Sequence, residues 1–370
     1  MSEQRLPIQY IVSTLAVTGP TRQLLNIVTN LDQDRWAPHI VTLSPEPSDS
    51  YAEQFSKADI PVTSLGLSKL GGIIQGPSRL RSITQRIDPT IIHTQGIRAD
   101  SLTAHYLDGY PHITTLRNFP PEDYIPQYGK VLGRLMVWQQ FRAAHRADQA
   151  IACSRTIRDK YSDHDVTAVA IRNGVDACTY QPPSPEERRQ ARKKQGIKPD
   201  ETVVISVGGL IKRKDPMTVI DRFKQSKVSS NGRLLLLGDG PLKEQCRLAA
   251  TESVEIAGHV TNVERYLKAA DVFVSASHSE GLPNAVMEAL ATGNAVVLSD
   301  IGPHQEILGV NPAAGELFET SNAGSLVRTL DYVANTADER RGAARNIVET
   351  EFNAETMAER YVSMYEEIVQ

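Results

Sequence analysis

Short apolar runs alternate with longer helical stretches along the whole chain, and this alternation limits the fold more than any other feature of the sequence. Runs such as 203–207 and 295–298 are almost continuously apolar, which is typical of strands buried on both faces of a parallel sheet. Strands that alternate with helices predict an α/β fold built of doubly wound layers. The predicted strands are 9–13, 39–43, 90–93, 112–116, 149–152, 203–207, 233–237, 254–256, 272–275 and 295–298.

The chain has 370 residues, enough for two domains that each bury a core. Asn173 and Gly174 form a turn signal, and a proline-rich segment with a charged helix follows. The boundary is therefore predicted within 174–196, which divides the chain into a first domain, 1–180, and a second domain, 181–353, followed by a C-terminal helix, 354–370.

Composition excludes several classes of protein. The formal net charge of −4 argues against a nucleic-acid partner. Three dispersed cysteines without a C-x-x-C pair predict neither a zinc site nor a disulfide framework, and no D-x-D motif follows a strand, so no metal or other cofactor is expected. The chain shows neither the pattern of a signal peptide nor an apolar run of about 20 residues, so a cytoplasmic protein that is not integral to a membrane is expected.

One stretch, SEGLPNAVME at 279–288, combines the features of an anion site. It follows a predicted strand, and Pro283 suits the first position of a helix. Free N–H groups at a helix N-terminus favour an anion such as phosphate, and Gly281 lets a ligand approach the backbone. Glu280 fits beside a phosphate if it accepts hydrogen bonds from hydroxyl groups, and Glu288 reaches the same place from the helix. A nucleotide-sugar would satisfy both carboxylates.

Glutamates at such a spacing are more often solvated surface residues, but the surrounding sequence resembles a known enzyme family. HSEGLPNAVMEALATGNAVVLSDIGPHQEI is similar to the donor-site signature of family 4 retaining glycosyltransferases, an E-x7-E motif followed by a Gly-x-Ala/Pro-Val-Val strand. VISVGGLIKRKDP, LLLLGDGP and IAGHVTNVERYLKAADVFVSAS also occur in the family's order. Weaker similarity covers TGPTRQLLNIV, IIHTQGIRAD and ADQAIACS in the first half.

This resemblance implies the GT-B fold, in which two Rossmann-like domains face each other across a cleft and the second binds the donor. The last helix, 354–370, is then expected to cross back to the first domain. Lys214 and Glu280 would be the catalytic residues, with Glu280 on the hydroxyls of the transferred sugar. The implied donor-binding residues are Glu288 at the ribose, Gly281, Leu282, Pro283 and Asn284 at the sugar and phosphates, and His259 and Val260 at the base.

The basic loop after strand 203–207 departs from the family pattern. The family has an Arg and, five positions later, a Lys; here Lys214 keeps its place, but Gly209 stands at the arginine position. We expect Arg213 or Lys212 to supply the missing positive charge beside the leaving diphosphate. The alternative is a solvated basic loop without a role in the reaction.

Candidate residues in the first domain are less familiar. The resemblance implies that Gly19 lies against the diphosphate and the acceptor. Arg117 and Gln95 stand where the family often has histidines, so Arg117 either contacts an anionic group or pairs with Glu122 or Asp123. His93 is expected to be an interior histidine with satisfied hydrogen bonds. The polar loop at the end of strand 112–116 supplies the acceptor-side candidates Arg117, Asn118, Glu122 and Tyr124.

The stretch 129–148, GKVLGRLMVWQQFRAAHRAD, is a basic helix with large apolar side chains. We favour the interpretation that its apolar stripe packs on the sheet. A second interpretation, peripheral contact with the inner face of an anionic membrane, stays open.

The function expected from these features is metal-independent transfer of a hexosyl group, with retention, from a nucleoside-diphosphate sugar such as a UDP-sugar. The acceptor would be a hydroxyl group of a glycan, a glycolipid or a small molecule, and family frequency favours surface polysaccharide biosynthesis. Two alternatives remain: a GT-B nucleotide-sugar epimerase, and a non-catalytic homologue that binds nucleotide-sugars. The departures at Gly209, Gln95 and Arg117 suggest the second of these.

Overall fold

In the computed structural model, residues 5–68 and 75–369 are described, and the chain divides into two compact units. Residues 1–4, part of the N-terminal segment considered above, and residue 370 lie outside the described residues. One unit runs to Asn173 and resumes at Ala354; the other is Gly174–Asn353. The predicted division between residues 180 and 181 therefore moves to between residues 173 and 174.

The segment just after residue 173 belongs to the second unit because its backbone bonds to a helix there. The Val175 N–H donates to the Phe352 carbonyl over 2.8 Å. The guanidinium of Arg345 donates to the carbonyls of Ala177 and Tyr180. Turn and proline signals mark where a linker begins, but these contacts between distant residues decide which unit holds it.

The first unit contains a parallel sheet of seven strands in the order β3-β2-β1-β4-β5-β6-β7. Its apolar residues pack under the helices on both faces. The strands are β1 (Leu6–Val12), β2 (Trp36–Thr42), β3 (Val62–Ser64), β4 (Ile91–Gln95), β5 (His112–Leu116), β6 (Gln149–Ala152) and β7 (Ala168–Ala170). The described helices are α1 (Gly19–Thr29), α2 (Ala52–Lys57), α3 (Gly76–Ile87), α4 (Ile97–Tyr106), α5 (Pro120–Tyr128), α6 (Lys130–Arg146) and α7 (Arg155–Ser162).

The second unit contains a parallel sheet of six strands in the order β10-β9-β8-β11-β12-β13. The strands are β8 (Thr202–Val207), β9 (Gly232–Leu237), β10 (Val254–Gly258), β11 (Val272–Ser275), β12 (Ala295–Ser299) and β13 (Gly315–Phe318). The described helices are α8 (Pro185–Lys194), α9 (Pro216–Gln225), α10 (Lys243–Ala249), α11 (Val263–Ala269), α12 (Asn284–Ala291), α13 (Gly302–Leu308), α14 (Ala323–Asn335) and α15 (Ala337–Glu351).

Every predicted strand is present, and the α/β prediction is confirmed. The sequence analysis missed β3, β7 and β13, each an edge strand of three or four residues. Edge strands have a neighbour on one side only, and most positions of these three are partly buried or exposed, so they do not form a continuous buried apolar run. They lack the signal that identified the central strands.

In each sheet the strand order reverses direction once, between β1 and β4 and between β8 and β11. The helices after these neighbouring strands pass to opposite faces of the sheet, which leaves a crevice at the carboxyl ends of the strands. The crevice of the second unit lies just beyond Val207 and Ser275.

Helix α16 (Ala354–Val369) packs in the first unit against α1. His93 is fully buried: its Nδ1 lies 2.8 Å from the Tyr365 hydroxyl and its Nε2 lies 2.6 Å from the Thr115 hydroxyl. Tyr365 also bonds to the Tyr10 hydroxyl at 2.9 Å. The prediction that His93 is a satisfied interior histidine is confirmed, and its hydrogen bonds hold α16 on the strands.

Burial, with the nearby Arg117 and His112, places the pKa of His93 well below its ordinary value of 6.5. The neutral ring is therefore the folded form, and stability is lost as the pH falls below about 6.5. We expect the free energy of unfolding to fall less between about pH 8 and pH 5 in His93→Gln than in the wild type. Denaturant unfolding of both proteins across this range measures the difference. An equal pH dependence of the free energy of unfolding in the two proteins would contradict the prediction.

The packing of helix α6 differs from that predicted by the favoured interpretation. Leu132, Leu135 and Trp138 are more than half exposed, so the expectation that this apolar stripe packs on the sheet is wrong. The buried positions of α6 include the smaller residues Gly133, Ala143 and Ala144, and Gly133 lies against the backbone of α5. Within the described residues, no helix is long and apolar enough to cross a bilayer.

Candidate active site

Three of the predicted site residues meet at the crevice of the second unit. Glu280, in the loop after β11, is 9 % exposed. Lys214 donates to its Oε1 atom, and Arg213 Nη1 donates to its Oε2 atom over 3.0 Å. The Ser277 hydroxyl donates to Oε1 over 2.7 Å. We call Glu280, Lys214, Arg213 and Ser277 the carboxylate cluster.

The two cations reach Glu280 because a tight turn follows β8. Residues Lys212–Lys214 form one turn of 3-10 helix, which ends at Asp215. The Arg213 carbonyl accepts from the His278 N–H at 2.8 Å, and Arg213 Nη1 also donates to the Ser279 carbonyl at 2.5 Å. These bonds join the basic turn to the loop of Glu280, although the two segments are distant in sequence.

The charge of Glu280 depends on its neighbours. Burial acts to raise its pKa, but the adjacent Lys214 and Arg213 cations outweigh burial and lower the pKa to about 2. Glu280 is therefore an anion at neutral pH, with donors on both oxygens. Such a carboxylate suits acceptance of hydrogen bonds and is too weak a base to hold a proton at neutral pH.

The structure distinguishes between the two cations considered for the missing arginine. Arg213 contacts Glu280, whereas Lys212 is exposed on the same turn. Gly209, at the arginine position, lies at the rim of a small pocket lined also by Gly208, Lys214, Ser275 and Ser277. A Cβ atom on Gly209 would meet only ordinary contacts at 3.8 Å or more. The glycine is therefore not required there for space.

At Gly238, which follows β9, a glycine is required for steric reasons. Its φ of 149° lies in a region that residues with side chains rarely adopt. A Cβ atom there would lie 1.9 Å from the Gly208 carbonyl oxygen. The missing side chain allows the loops after β8 and β9 to meet beside the pocket.

The remaining donor-site candidates lie at the same edge of the sheet or on the helix that follows. Pro283 is the N-cap of α12, and the helix begins at Asn284, so the prediction that Pro283 occupies the first helical position is off by one residue. Leu282 is buried in the loop, and Glu288 on α12 is 3 % exposed. Gly281 is half-buried before the helix, and His259 and Val260 follow β10 at the carboxyl edge.

In the first unit, Arg117 ends β5 among amide side chains. Its guanidinium donates to Asn173 Oδ1 at 2.6 Å and to Gln95 Oε1 at 3.2 Å. Glu122 instead pairs with Lys160 at 2.6 Å, so the predicted pairing of Arg117 with Glu122 is wrong. Gln95 ends the neighbouring strand β4 and Asn173 follows β7, so the partners of this cation are uncharged amides.

The other first-unit candidates lie in the loop before α5, on α5 and at the start of α1. Asn118 donates to Asp123, and burial raises the pKa of the Tyr124 phenol on α5 above its ordinary value. Gly19 opens α1 after Thr18, whose hydroxyl accepts from the Thr21 N–H. Their roles toward an acceptor or a diphosphate stay predictions.

Comparison with known proteins identifies the family. The model described as "Glycosyl transferases group 1" matches residues 187–349, and the model described as "Glycosyltransferase Family 4" matches residues 17–178. The two matches lie side by side and include both units. The chain belongs to the family 4 glycosyltransferases. The family assignment made by resemblance is thereby confirmed, while the role of the E-x7-E motif stays a prediction.

Relatives of this glycosyltransferase include the alpha-monoglucosyldiacylglycerol synthase of Streptococcus pneumoniae, 27% identical over 85% of this chain and 75% of that protein. A GDP-mannose-dependent monoacylated alpha-(1-6)-phosphatidylinositol monomannoside mannosyltransferase of Corynebacterium glutamicum is 27% identical over 57% of this chain and 58% of that protein. Sequence identity at this level supports the family without fixing the donor or the acceptor.

Solved structures show that the glycosyltransferase has the GT-B fold. Sucrose-phosphate synthase from Thermosynechococcus elongatus superposes with a TM-score of 0.84 at 18% identity, covering 98% of this chain and 99% of that chain. HepE of Anabaena, solved in complex with UDP, superposes with a TM-score of 0.81 at 18% identity, covering 98% and 100%. The predicted fold class is confirmed.

Sequence reasoning missed the support behind the carboxylate cluster of this glycosyltransferase. The buried Ser299 hydroxyl donates to the Ser277 carbonyl over 2.6 Å, and His304 Nδ1 donates to the Ser299 carbonyl over 2.9 Å. Burial lowers the pKa of His304 to about 4, so the ring is neutral. The signal was present: Ser299 ends an apolar strand, and a polar residue there lies at the ligand edge of the sheet.

His304 Nε2 is buried and has no hydrogen-bond partner among the described residues. Among residues 5–68 and 75–369, no three His, Cys, Asp or Glu side chains lie close enough together to hold a metal ion.

Proposed function

We propose that this glycosyltransferase moves a hexosyl group from a nucleoside-diphosphate sugar to a hydroxyl acceptor, with retention and without a metal ion. The observation that carries the proposal is the carboxylate cluster: a buried, ionised Glu280 with two cations beside an open pocket at the carboxyl ends of β8 and β11. An anion with hydroxyl groups next to its charge fits this combination.

The cluster supports distinct roles for its charges. Lys214 and Arg213 stabilise the negative charge that grows on the leaving diphosphate. Glu280 accepts hydrogen bonds from the hydroxyls of the transferred sugar. The donor phosphate takes the proton of the acceptor hydroxyl. The protein therefore mainly positions the two substrates and neutralises the charge of the leaving diphosphate. Two side-chain cations at the diphosphate would make a metal ion unnecessary for this step.

Names of the similar proteins support the substrate classes. HepE is solved with UDP and with UDP-glucose, and the mannosyltransferase of Corynebacterium glutamicum is GDP-mannose-dependent. The Streptococcus pneumoniae relative is a glucosyldiacylglycerol synthase. We infer a UDP- or GDP-sugar donor and a glycolipid or polysaccharide acceptor. We also infer that the protein associates peripherally with the inner face of a membrane.

Binding tests the donor site first. Calorimetry in EDTA with UDP, GDP and their common sugar conjugates should give metal-free binding of one nucleotide, weakened about tenfold or more in Glu288→Gln, since one hydrogen bond to a charged group is lost. Glu252→Gln, a change at an exposed acid in a loop, is the matched control and should bind like the wild type. Absence of binding by every nucleotide would instead contradict the donor site itself.

Turnover separates transfer from the alternatives. With the bound nucleotide-sugar and a panel of glycolipid and glycan acceptors, nucleoside diphosphate should appear only when a suitable acceptor is present. An epimerase would convert or release nucleotide without forming a transferred product. Release that is independent of every acceptor would therefore contradict the proposal.

A further inference from the structure

Helix α6 turns its large apolar side chains away from the protein. Val131 is 88 % exposed, and Leu132, Leu135 and Trp138 are each more than half exposed. Leu135 follows Val131 and Leu132 by four and three residues, and Trp138 follows Leu135 by three, which places them on one side of the helix. Tyr128, 44 % exposed at the end of α5, continues the row. We call these five residues the outer face.

This orientation is built into the packing of the helix. A Cβ atom on Gly133 would lie 2.7 Å from the Ile125 Cα atom and from the Tyr124 carbonyl, so α6 touches the backbone of α5 at a residue without a side chain. Gln140, on the buried side, donates over 2.7 Å to Asp100 Oδ2 in α4. Two contacts on the inner side set the rotation of the helix, and the outer face cannot turn inward without breaking both.

Positive charge accompanies the outer face. Helix α6 contains Lys130, Arg134, Arg142 and Arg146 and no acidic residue. All four cations are exposed, and the Arg142 guanidinium lies 5.2 Å from the centre of the Trp138 ring. The chain as a whole has a formal net charge of −4, so this helix opposes the sign of the rest of the molecule.

An exposed apolar surface of this kind is expected to bind a partner, and the positive charge of α6 indicates which kind of partner. A second copy of the chain docked through the same face would bring cation against cation, which disfavours association. An anionic bilayer accepts both components: cations lie at the lipid head groups, and the apolar side chains, with Trp and Tyr among them, enter the interface.

We propose that the outer face of α6 is a docking surface for an anionic bilayer. The inference rests on the proposed function and deepens it, since it names the surface that makes the membrane contact inferred there. It gives the protein access to a lipid-linked hydroxyl acceptor by holding the enzyme at the surface where such a molecule lies.

The two tryptophans of the chain supply a direct test. Trp138 is 56 % exposed, whereas Trp36 is fully buried in the core of the first unit. Vesicles of phosphatidylglycerol with phosphatidylcholine should co-sediment the full chain and shift its tryptophan emission to shorter wavelength. Trp138→Phe should keep the co-sedimentation and lose the shift, because Trp36 does not move into lipid.

Paired variants separate the two components of docking. Leu132→Ser with Leu135→Ser should weaken binding by about tenfold or more, whereas Leu248→Ser, at an 87 % exposed leucine of α10, should not. Arg134→Gln with Arg142→Gln should weaken binding about fivefold for each charge, while Lys193→Gln with Lys194→Gln, two exposed lysines of α8, should leave it unchanged.

Three outcomes would overturn the proposal. The first is no binding to the anionic vesicles at low salt, and the second is equal binding to vesicles of phosphatidylcholine alone. The third is a dimer in solution that Leu132→Ser with Leu135→Ser converts to monomer, which would assign the face to a second copy. Nucleotide binding, measured on the same preparations, reports separately on the donor site, so failure of one proposal does not imply failure of the other.

Discussion

Replacing Lys214 with methionine should lower kcat by about two to three orders of magnitude, because it removes a positive charge from the place where the leaving diphosphate becomes negative. Methionine keeps most of the length and apolar contacts of the lysine stem. Lys214 contacts the buried Glu280 directly, so its charge is held in place before any donor arrives. Acceptor-dependent release of nucleoside diphosphate measures the effect.

Lys212→Met is the matched control, since Lys212 lies on the same turn but is exposed and outside the carboxylate cluster. It should retain the turnover of the wild type. The substitution also leaves Glu280 with Arg213 and Ser277 as its only partners among the described residues. The thermal stability of the Lys214 variant should therefore be measured together with its kinetics. A well-folded Lys214→Met protein with the kcat of the wild type would remove Lys214 from the reaction.

Replacing Gly238 with alanine should lower the free energy of unfolding by about 3 kcal/mol or more, from overpacking and an unfavourable φ together. The added methyl group would lie 1.9 Å from the Gly208 carbonyl oxygen, so the loops after β8 and β9 have to separate. The loop after β8 lines the pocket beside Lys214, so nucleotide binding should be lost with the stability. Denaturant unfolding and calorimetry on the same variant measure the two effects.

Gly342→Ala makes the same chemical change where nothing opposes it. Gly342 lies inside α15, and a Cβ atom there has no neighbour within 4 Å. Alanine at this position should raise the free energy of unfolding by about 1 kcal/mol, from helix propensity alone. Equal stability of Gly238→Ala and Gly342→Ala would show that the close approach of the two loops is not structurally important.

The arrangement of the candidate donor site is the part of the molecule that could be predicted best from sequence. Glu280, Pro283 and Glu288 lie within a few residues of one another, shortly after a strand that is buried throughout. The order of strand, loop and helix placed them at the carboxyl edge of a sheet before any coordinates were known. The second carboxylate proved to be buried on α12, at the place that this order predicts.

The partners of these residues could not be predicted in the same way. Lys212 and Arg213 are equivalent by charge and are neighbours in the chain, and only the bonds from Arg213 to Ser279 and Glu280 distinguish them. Ser299 and His304 support the Ser277 loop from another strand and helix. For Arg117 the sequence left two interpretations open, contact with an anionic group or pairing with a nearby acid, and the structure shows bonds to Gln95 and Asn173.

The sequence by itself determined the α/β class, the central strands and the position of the donor motif, because continuous apolar runs and local strand-loop-helix order are properties of neighbouring residues. Tertiary structure alone decided which cation meets Glu280, where the first unit ends and which side of α6 faces solvent. The rotation of α6 depends on Gly133 against Ile125 and on Gln140 against Asp100. Such contacts join different elements, and a helical pattern shows that an apolar face exists without showing what that face meets.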